Sequence, residues 1–175
     1  LRQLAKAFPM DPRPARRVRE VATISARPAI EPQAAIARVG SSGGKGERLL
    51  SLAAQAATPR DLKGLSGDDF ELLVVELFRR QGHQARRVGQ WGDHGVDIVV
   101  DSTDGQKWIV QCKRWTSRWI GEPLVRDLFG AMHHEGADRG ILVTTSWFSH
   151  PARRWARGKP VELIDGNQLL RLVRQ

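Results

Sequence analysis

The stretch from Val96 to Trp115 constrains the fold of this chain most, because it has the pattern of a β-hairpin with charges on one face. Two largely apolar runs flank an Asp104-Gly105 turn, and side chains alternate between the two faces of each strand. A two-residue turn would place Asp97 opposite Cys112. A three-residue loop, with the glycine in the left-handed position, would place Asp97 opposite Gln111 instead.

The hydrophobic pattern favours the second register, because that register makes one face of the hairpin wholly apolar. The apolar pairs it predicts are Val96 with Cys112, Ile98 with Val110, and Val100 with Trp108. The other face then carries Asp97, Gln111 and Lys113 around a pair of apolar residues. Charges beside an apolar strand pair are costly unless they meet a ligand or each other. The hairpin therefore predicts a polar site at one end of the strand pair.

A predicted helix supplies a second carboxylate to this site. Ser66 followed by Asp69 is an N-terminal capping signal, and Phe70 begins an apolar stripe at helical spacing that ends before Gly82. Glu71 lies about 100° around the helix from Phe70, at the border of the stripe. If the helix covers the sheet, this carboxylate faces the site. Two carboxylates, a carboxamide and a lysine suit a hard divalent cation, above all Mg²⁺.

The elements from residue 61 onward predict an α/β fold. Hydrophobic periodicity and turn residues indicate the order α-β-β-β-α-β-α-β-α. This order favours a sandwich in which helices flank a mixed central β-sheet, with the last strands joined through helices.

These motifs resemble the Asp…(Glu/Gln)-x-Lys core of the PD-(D/E)XK nuclease superfamily. More narrowly, residues 61–175 are similar to the catalytic domain of Mrr-type restriction endonucleases, which implies a restriction-endonuclease-like fold. The matching segments are Phe70-Glu71, Gly92-Asp93-His94-Gly95-Val96-Asp97, Gln111-Cys112-Lys113-Arg114-Trp115, the strand from Gly140 to Thr145, and Glu162-Leu163-Ile164-Asp165-Gly166. The short motif is weak by itself, and its agreement with the order of helices and strands makes the resemblance specific.

The resemblance implies a role for each matching residue. Asp97 is the expected central metal ligand, and Gln111 holds the place of the commoner glutamate and binds through its amide oxygen. The backbone carbonyl of Cys112 is a further expected ligand. Lys113 is expected to act on the nucleophilic water, and Glu71 to support the metal directly or through a bound water. Mg²⁺ is the expected cofactor, with Mn²⁺ as a substitute.

The implied activity is metal-dependent hydrolysis of DNA phosphodiester bonds by an activated water, in the restriction of foreign or modified DNA. Two alternatives stay open. The neutral Gln111 and the basic N-terminal region are also consistent with a DNA-binding or sensor module that does not cleave. A structure-specific nuclease that acts on DNA junctions would have the same fold. Cleavage of both strands needs two active sites, so a homodimer is expected.

Basic and aromatic residues after the hairpin and around a later helix predict contacts to DNA. Guanidinium groups suit backbone phosphates, tryptophan rings suit sugar or base faces, and a helix start presents backbone N–H groups to a phosphate. The predicted contact residues are Arg114, Trp115, Arg118, Ser149, Arg153, Arg154 and Arg157. The alternative is that these side chains form amphipathic surface cover, in part packed on the core.

A formal net charge of +9 indicates a polyanionic partner, and most of it lies in the first third of the chain. Residues 1–60 hold 11 Lys and Arg against 4 Asp and Glu, whereas residues 61–175 hold 17 against 15. Prolines interrupt the first segment, and residues 41–46 have the composition of a flexible linker. We therefore expect residues 1–60 to be a basic extension outside the nuclease domain, with a short helix from Glu47 to Ala57 as its one regular element.

The single cysteine and the lack of a signal-peptide core favour a cytoplasmic protein in a reducing compartment. No apolar run of the sequence is long enough to span a membrane. The chain begins at Leu1 rather than Met, which is consistent with a piece of a longer protein whose upstream domain lies outside this sequence.

Overall fold

A five-stranded mixed β-sheet forms the centre of the described part of the chain, which comprises residues 43–88, 95–115 and 119–175 in a computed structural model. The predictions for residues 1–42 and for Arg118 lie outside these residues, as does the part of the matching segment from Gly92 to His94. The strands, in chain order and also in spatial order, are β1 (Gln84–Arg87), β2 (Ile98–Asp101), β3 (Lys107–Lys113), β4 (Arg139–Thr144) and β5 (Val161–Ile164). Strand β2 pairs antiparallel with both β1 and β3, whereas β4 pairs parallel with both β3 and β5.

Five α-helices accompany the sheet in the described ranges. They are α1 (Gly43–Gln55), α2 (Gly67–Arg80), α3 (Glu122–His134), α4 (His150–Ala156) and α5 (Gly166–Val173), and a short 3-10 helix (Asp61–Gly64) precedes α2. Ser66 Oγ caps α2 by accepting from the backbone N–H of Asp69, as the capping signal predicts. None of the described helices is long and apolar enough to cross a membrane. The predicted element order and the α/β class are confirmed.

Helices cover both faces of the sheet and form two separate cores. The first core joins one face to α1, α2 and α5, and the second joins the opposite face to α3 and α4. Neighbouring residues of β3 enter different cores, since Val110 belongs to the first and Ile109 to the second. The face that the sequence predicts to carry the polar site is therefore itself buried in its middle, and Gln111 and Lys113 lie at one end of it.

The hairpin of β2 and β3 has the predicted register over the length of β2. Ser102 N–H donates to Gln106 O at 2.9 Å, which closes the three-residue loop, and Gly105 has the required positive φ of 84°. The observed pairs include Ile98 with Val110 and Val100 with Trp108.

Residues 43–60 contradict the predicted boundary, because they are part of the domain and not of an extension. Leu49, Leu50 and Ala53 of α1 are buried in the first core. Farther along, Pro59 lies so close to Gly166 that a Cβ there would approach Pro59 Cβ to 2.6 Å. The predicted short helix is real, but it begins four residues earlier, inside the predicted linker. Glycine- and alanine-rich composition conceals this helix, because its stability comes from tertiary packing of its apolar side rather than from propensity.

Glu162 on β5 is a partly buried carboxyl whose titration is expected to change stability. Burial raises the pKa of Glu162 to about 7, although the guanidinium of Arg139, with Nη1 3.4 Å from Glu162 Oε2, opposes the rise. A carboxyl with a higher pKa in the folded state stabilises the fold at low pH, and this contribution is lost as the pH rises from about 4.5 to about 7. Between pH 5 and pH 8 the loss is about 2 kcal/mol.

We expect Glu162→Gln to remove this component of the pH dependence, because the amide does not ionise. Urea unfolding of both proteins at pH 5 and pH 8 measures it, and the wild type should lose more stability than the variant. An equal change in the two proteins would contradict the assignment.

Candidate active site

Asp97 lies immediately before β2, at a point where the antiparallel pairing is interrupted. Its backbone N–H donates to Val110 O at 3.0 Å, although Val110 is already paired with Ile98. Two residues of one strand thus oppose one residue of the other, which is the arrangement of a β-bulge. The carboxylate turns towards β3, where Oδ2 accepts from the backbone N–H of Cys112 at 2.6 Å.

This bulge overturns one predicted pair and changes another. The strict register predicts Val96 on the same face as Ile98, but Val96 is buried in the second core and Ile98 in the first. It also predicts Asp97 directly opposite Gln111, whereas the Asp97 carboxylate bonds to the backbone of Cys112. The extra residue shifts the alternation by one position, and the pattern of apolar residues does not predict this shift.

Gln111 is the next component of the site, and its amide is confined. The side chain is only 6% exposed, and Oε1 has no hydrogen-bond partner among the described residues. A Cβ at Gly95, which has a φ of +79°, would collide with Gln111 Nε2. The amide therefore packs against the segment that leads into Asp97. A buried amide oxygen without a partner is costly, and it is a ligand that a hard cation would satisfy.

Glu71 reaches the same region from α2. Burial raises the pKa of Glu71, the guanidinium of Arg87 opposes the rise, and the carboxylate of Asp97 adds to it. The two carboxylates are thus close enough to repel each other electrostatically, which a shared cation would relieve. The charge interaction with Asp97 places Glu71 near the hairpin end, and its part in the site stays a prediction.

Arg87 on β1 belongs to this cluster, and the sequence does not predict it. Its Nε donates to Glu71 Oε2 at 2.8 Å, and its Nη2 donates to Asp68 Oδ1 at 2.7 Å. Alternation along a strand indicates which face a residue occupies, but it carries no information on an acidic partner from a helix 16 or 19 residues earlier. Arg87 therefore supplies a fixed positive charge beside the carboxylate of Glu71.

Lys113 ends β3 on the same face as Gln111, and Cys112 lies between them. Thr144 Oγ1 donates to Lys113 O at 2.6 Å and holds the strand end. The Cys112 thiol is partly buried against the first core, as predicted. Burial raises the pKa of this thiol, the charges of Asp97 and Glu71 raise it further, and Lys113 opposes them. A protonated thiol is a poor nucleophile, so the chemistry of the site rests on its oxygen and ammonium groups.

The donor set fits a hard divalent cation. In residues 43–88, 95–115 and 119–175, no three His, Cys, Asp or Glu side chains form a group that could hold a metal. A metal beside Asp97 would therefore need the amide oxygen of Gln111 and the carbonyl of Cys112 in addition to carboxylates. Mg²⁺ accepts such mixed oxygen ligands, and it usually keeps several waters.

Two of the residues predicted to contact DNA, Arg114 and Trp115 at the end of β3, make contacts within the fold. Arg114 Nη1 donates to Lys63 O at 2.9 Å, and Trp115 packs in part against the second core. The bond of Arg114 joins the strand end to the 3-10 helix, and the packing of Trp115 joins it to the second core. Any role of these two side chains towards DNA stays a prediction.

The predicted contacts around α4 divide in the same way. Ser149 caps the helix by accepting from Ala152 N–H, and Arg153 Nη2 lies 2.7 Å from Asp165 Oδ2. Arg154 and Arg157 are exposed. Two of the four residues thus have a bond that stabilises the helix and its surroundings, and contact with DNA stays a prediction for all four.

We expect Gly95→Ala to lower activity far more than stability. The new Cβ would displace the buried Gln111 amide, and the positive φ adds backbone strain of about 1 kcal/mol. Loss of one oriented ligand should reduce metal-dependent cleavage roughly 100-fold or more. Gly105→Ala is the matched control, since Gly105 also has a positive φ but its new Cβ would have no atom of the described residues within 4 Å. Comparable cleavage by the two variants would contradict the role of Gly95.

Comparison with known proteins agrees with this architecture. Residues 62–173 match the sequence profile of a restriction endonuclease family, the Mrr catalytic domain. The chain is 34% identical over 121 residues to the type IV methyl-directed restriction enzyme EcoKMrr of Escherichia coli strain K12, which covers 65% of this chain and 40% of that enzyme. The chain thus spans less than half the length of that relative. The solved structure of the DNA modification-dependent restriction endonuclease AspBHI has a similar fold, with a TM-score of 0.53, 18% identity, and coverage of 86% of this chain and 40% of that chain.

Proposed function

The chain belongs to the Mrr catalytic-domain family of restriction endonucleases, and we propose that it is a metal-dependent DNA endonuclease that hydrolyses phosphodiester bonds by attack of an activated water. The observation that supports this most directly is the surroundings of Asp97. Burial raises the pKa of a second carboxylate, Glu71, and the charge of Asp97 raises it further. The amide oxygen of Gln111, which has no partner among the described residues, is buried beside the same segment. Both features are unfavourable without a cation and favourable with one.

Each residue has a distinct part in this proposal. Asp97, the Gln111 amide oxygen and the Cys112 carbonyl would hold the metal, and Glu71 would hold it directly or through water. A bound divalent metal polarises the phosphodiester and lowers the pKa of a water. Lys113 would orient the attacking water and offset the negative charge that develops on the phosphate. The proposed metal is Mg²⁺, with Mn²⁺ as a substitute.

The proposed substrate is foreign or modified DNA. EcoKMrr is a methyl-directed restriction enzyme and AspBHI is modification-dependent, which supports the same use of the domain in this chain. Breaking both strands of a duplex requires two active sites, so the proposal includes a homodimer at the moment of double-strand cleavage.

A second candidate function is DNA binding without cleavage. Two observations favour it, namely that Gln111 is neutral and that Arg87 already compensates the charge of Glu71. In that case the arginine would take the place of a cation, and the domain would hold DNA without cutting it.

Plasmid nicking by the full chain separates the two candidates. We expect relaxation of supercoiled DNA in Mg²⁺ or Mn²⁺ and none in EDTA. Binding without turnover in either metal would favour the second candidate. Parallel assays on linear duplex, methylated duplex and four-way junctions test the substrate, and cleavage confined to junctions would replace restriction by a structure-specific activity.

A further inference from the structure

Two neighbouring tryptophans lie on the surface, where large apolar side chains are uncommon. Trp119 is 61% exposed and Trp147 is 41% exposed, and their rings pack edge to face with centroids 5.4 Å apart. Neither ring belongs to the two cores. Exposed aromatic rings that meet one another indicate a contact surface rather than misplaced core residues.

The backbone under these rings is firmly anchored. Ile120 N–H donates to Trp147 O at 2.9 Å, and Ser149 N–H donates to Ile120 O at 3.0 Å. The neighbours of the two tryptophans, Ile120 and Phe148, are buried in the second core. The rings therefore stand on a rigid support, so a ligand that stacks on them would order little additional chain.

A cavity of about 770 Å³ opens beside Trp147. This volume lies in the range of pockets for small organic ligands, and none of the described residues that line it is acidic. Lys63 Nζ lies 5.9 Å from the centroid of a Trp147 ring. The other lining residues that matter here are Arg60, Thr145, Ser146 and Asn167. Two cations, an aromatic ring, hydroxyls and an amide thus surround one space.

Hydrogen bonds connect this cavity to the strand end that carries Lys113. Thr145 Oγ1 donates to Trp115 O at 3.1 Å, and the carbonyl of Lys63 accepts from Arg114. Thr144 pairs with Lys113 across the parallel strands β3 and β4. The cavity therefore lies at the carboxyl end of these strands, which is where α/β proteins bind ligands.

We propose that the cavity and the two tryptophans bind an unpaired deoxynucleotide of a DNA strand. The base would stack on an indole ring, and its phosphate would meet Arg60 and Lys63. Stacking on tryptophan requires an exposed base face, which an intact duplex does not offer, so the occupant is a base that has left the helix or lies at a strand end. The identity of the ligand as DNA rests on the proposed function, whereas the preference for an unpaired base rests on the cavity itself.

Fluorescence of 2-aminopurine tests this inference directly. Two short duplexes are compared with the full chain in EDTA, one with a single unpaired 2-aminopurine and one with the same base paired. We expect quenching of the unpaired probe on binding. Trp147→Ala should weaken binding of that probe roughly 5- to 100-fold and change binding of the paired duplex less than about twofold. Trp147→Phe should retain most of the affinity because it keeps an aromatic face.

Leu52→Ala is the matched control, because Leu52 is a large apolar residue that is also 61% exposed but lies on α1. The inference is overturned if Trp147→Ala binds both probes as the wild type does, or loses both equally. If circular dichroism shows that Trp147→Ala does not fold, binding of the unpaired and the paired probe is compared for Trp119→Ala and Lys63→Ala instead.

The same samples separate this inference from the nuclease function. EDTA prevents metal-dependent cleavage, so binding is read without it. Quenching without later cleavage in Mg²⁺ would refute the nuclease and support the nucleotide site. Cleavage without quenching would support the nuclease and refute the site.

Discussion

Replacement of Asp97 by asparagine, or of Lys113 by methionine, is expected to reduce plasmid cleavage at least about a thousandfold while the protein stays folded. Asp97→Asn removes the negative charge that would hold the metal, and Lys113→Met removes the ammonium that would offset charge on the phosphate. Each of these losses corresponds to about 4 kcal/mol of transition-state stabilisation.

The choice of substitutions protects the fold. Asparagine keeps an oxygen that accepts from the Cys112 backbone N–H, whereas alanine would leave that donor unpaired at a cost of about 1–3 kcal/mol. Methionine keeps the aliphatic stem of Lys113. Lys107→Met is the matched control, because Lys107 begins the same strand and its Nζ bonds to Glu135 O, away from the hairpin end that holds Asp97.

Nicking rates in Mg²⁺, together with thermal unfolding of each variant, measure the effect. We expect Lys107→Met to cleave within a few-fold of the wild type. Unchanged cleavage by both Asp97→Asn and Lys113→Met would exclude the proposed active site, even if the chain still cut DNA.

Removal of residues 1–60 is expected to unfold the domain, whereas removal of residues 1–42 is expected to leave it folded. The longer deletion takes away α1 and with it three buried side chains, Leu49, Leu50 and Ala53. Burial of each leucine contributes about 1.5–3 kcal/mol, and the deletion also exposes the apolar surface of α2 beneath. Because the whole domain is stable by only about 5–15 kcal/mol, the loss is decisive.

Circular dichroism and urea unfolding of the two truncated proteins test this contrast. A deletion of residues 1–60 that still unfolds cooperatively near the wild-type midpoint would contradict the packing of α1. The shorter deletion also separates charge from stability, since residues 1–42 hold 8 Lys and Arg against 3 Asp and Glu. DNA binding by the shorter protein should depend less steeply on salt, because fewer cations displace counterions from the phosphates.

The predicted boundary between the extension and the domain at residue 60 is where the sequence prediction and the structure differ most, and the difference has a physical reason. A short helix with small residues has little intrinsic stability, and its apolar side matters only once α2 offers a complementary surface. The close approach of Pro59 and Gly166 joins segments more than a hundred positions apart. Local composition does not predict a contact between such distant segments.

The hairpin shows how far local patterns extend. Alternating apolar residues and the Asp104-Gly105 turn were sufficient to predict the register from Ile98 to Asp101, since a slip by one residue would reverse both faces. The bulge at Asp97 depends on a backbone hydrogen bond to Val110 and a carboxylate bond to Cys112. These bonds can form only once the two strands are paired. Alternation of apolar residues alone therefore predicts the wrong face for Val96.

By itself, the sequence determined the α/β element order and the hairpin register, because periodicity and turn residues are local properties. Motif spacing is local too, and it identified the candidates for one site, which are Glu71, Asp97, Gln111 and Lys113. Only the tertiary structure decided that α1 completes the first core, that Arg87 bonds to Glu71, and that Trp119 and Trp147 meet beside a cationic cavity. These features depend on contacts between segments distant in the chain, where packing and electrostatics select partners that no local pattern specifies.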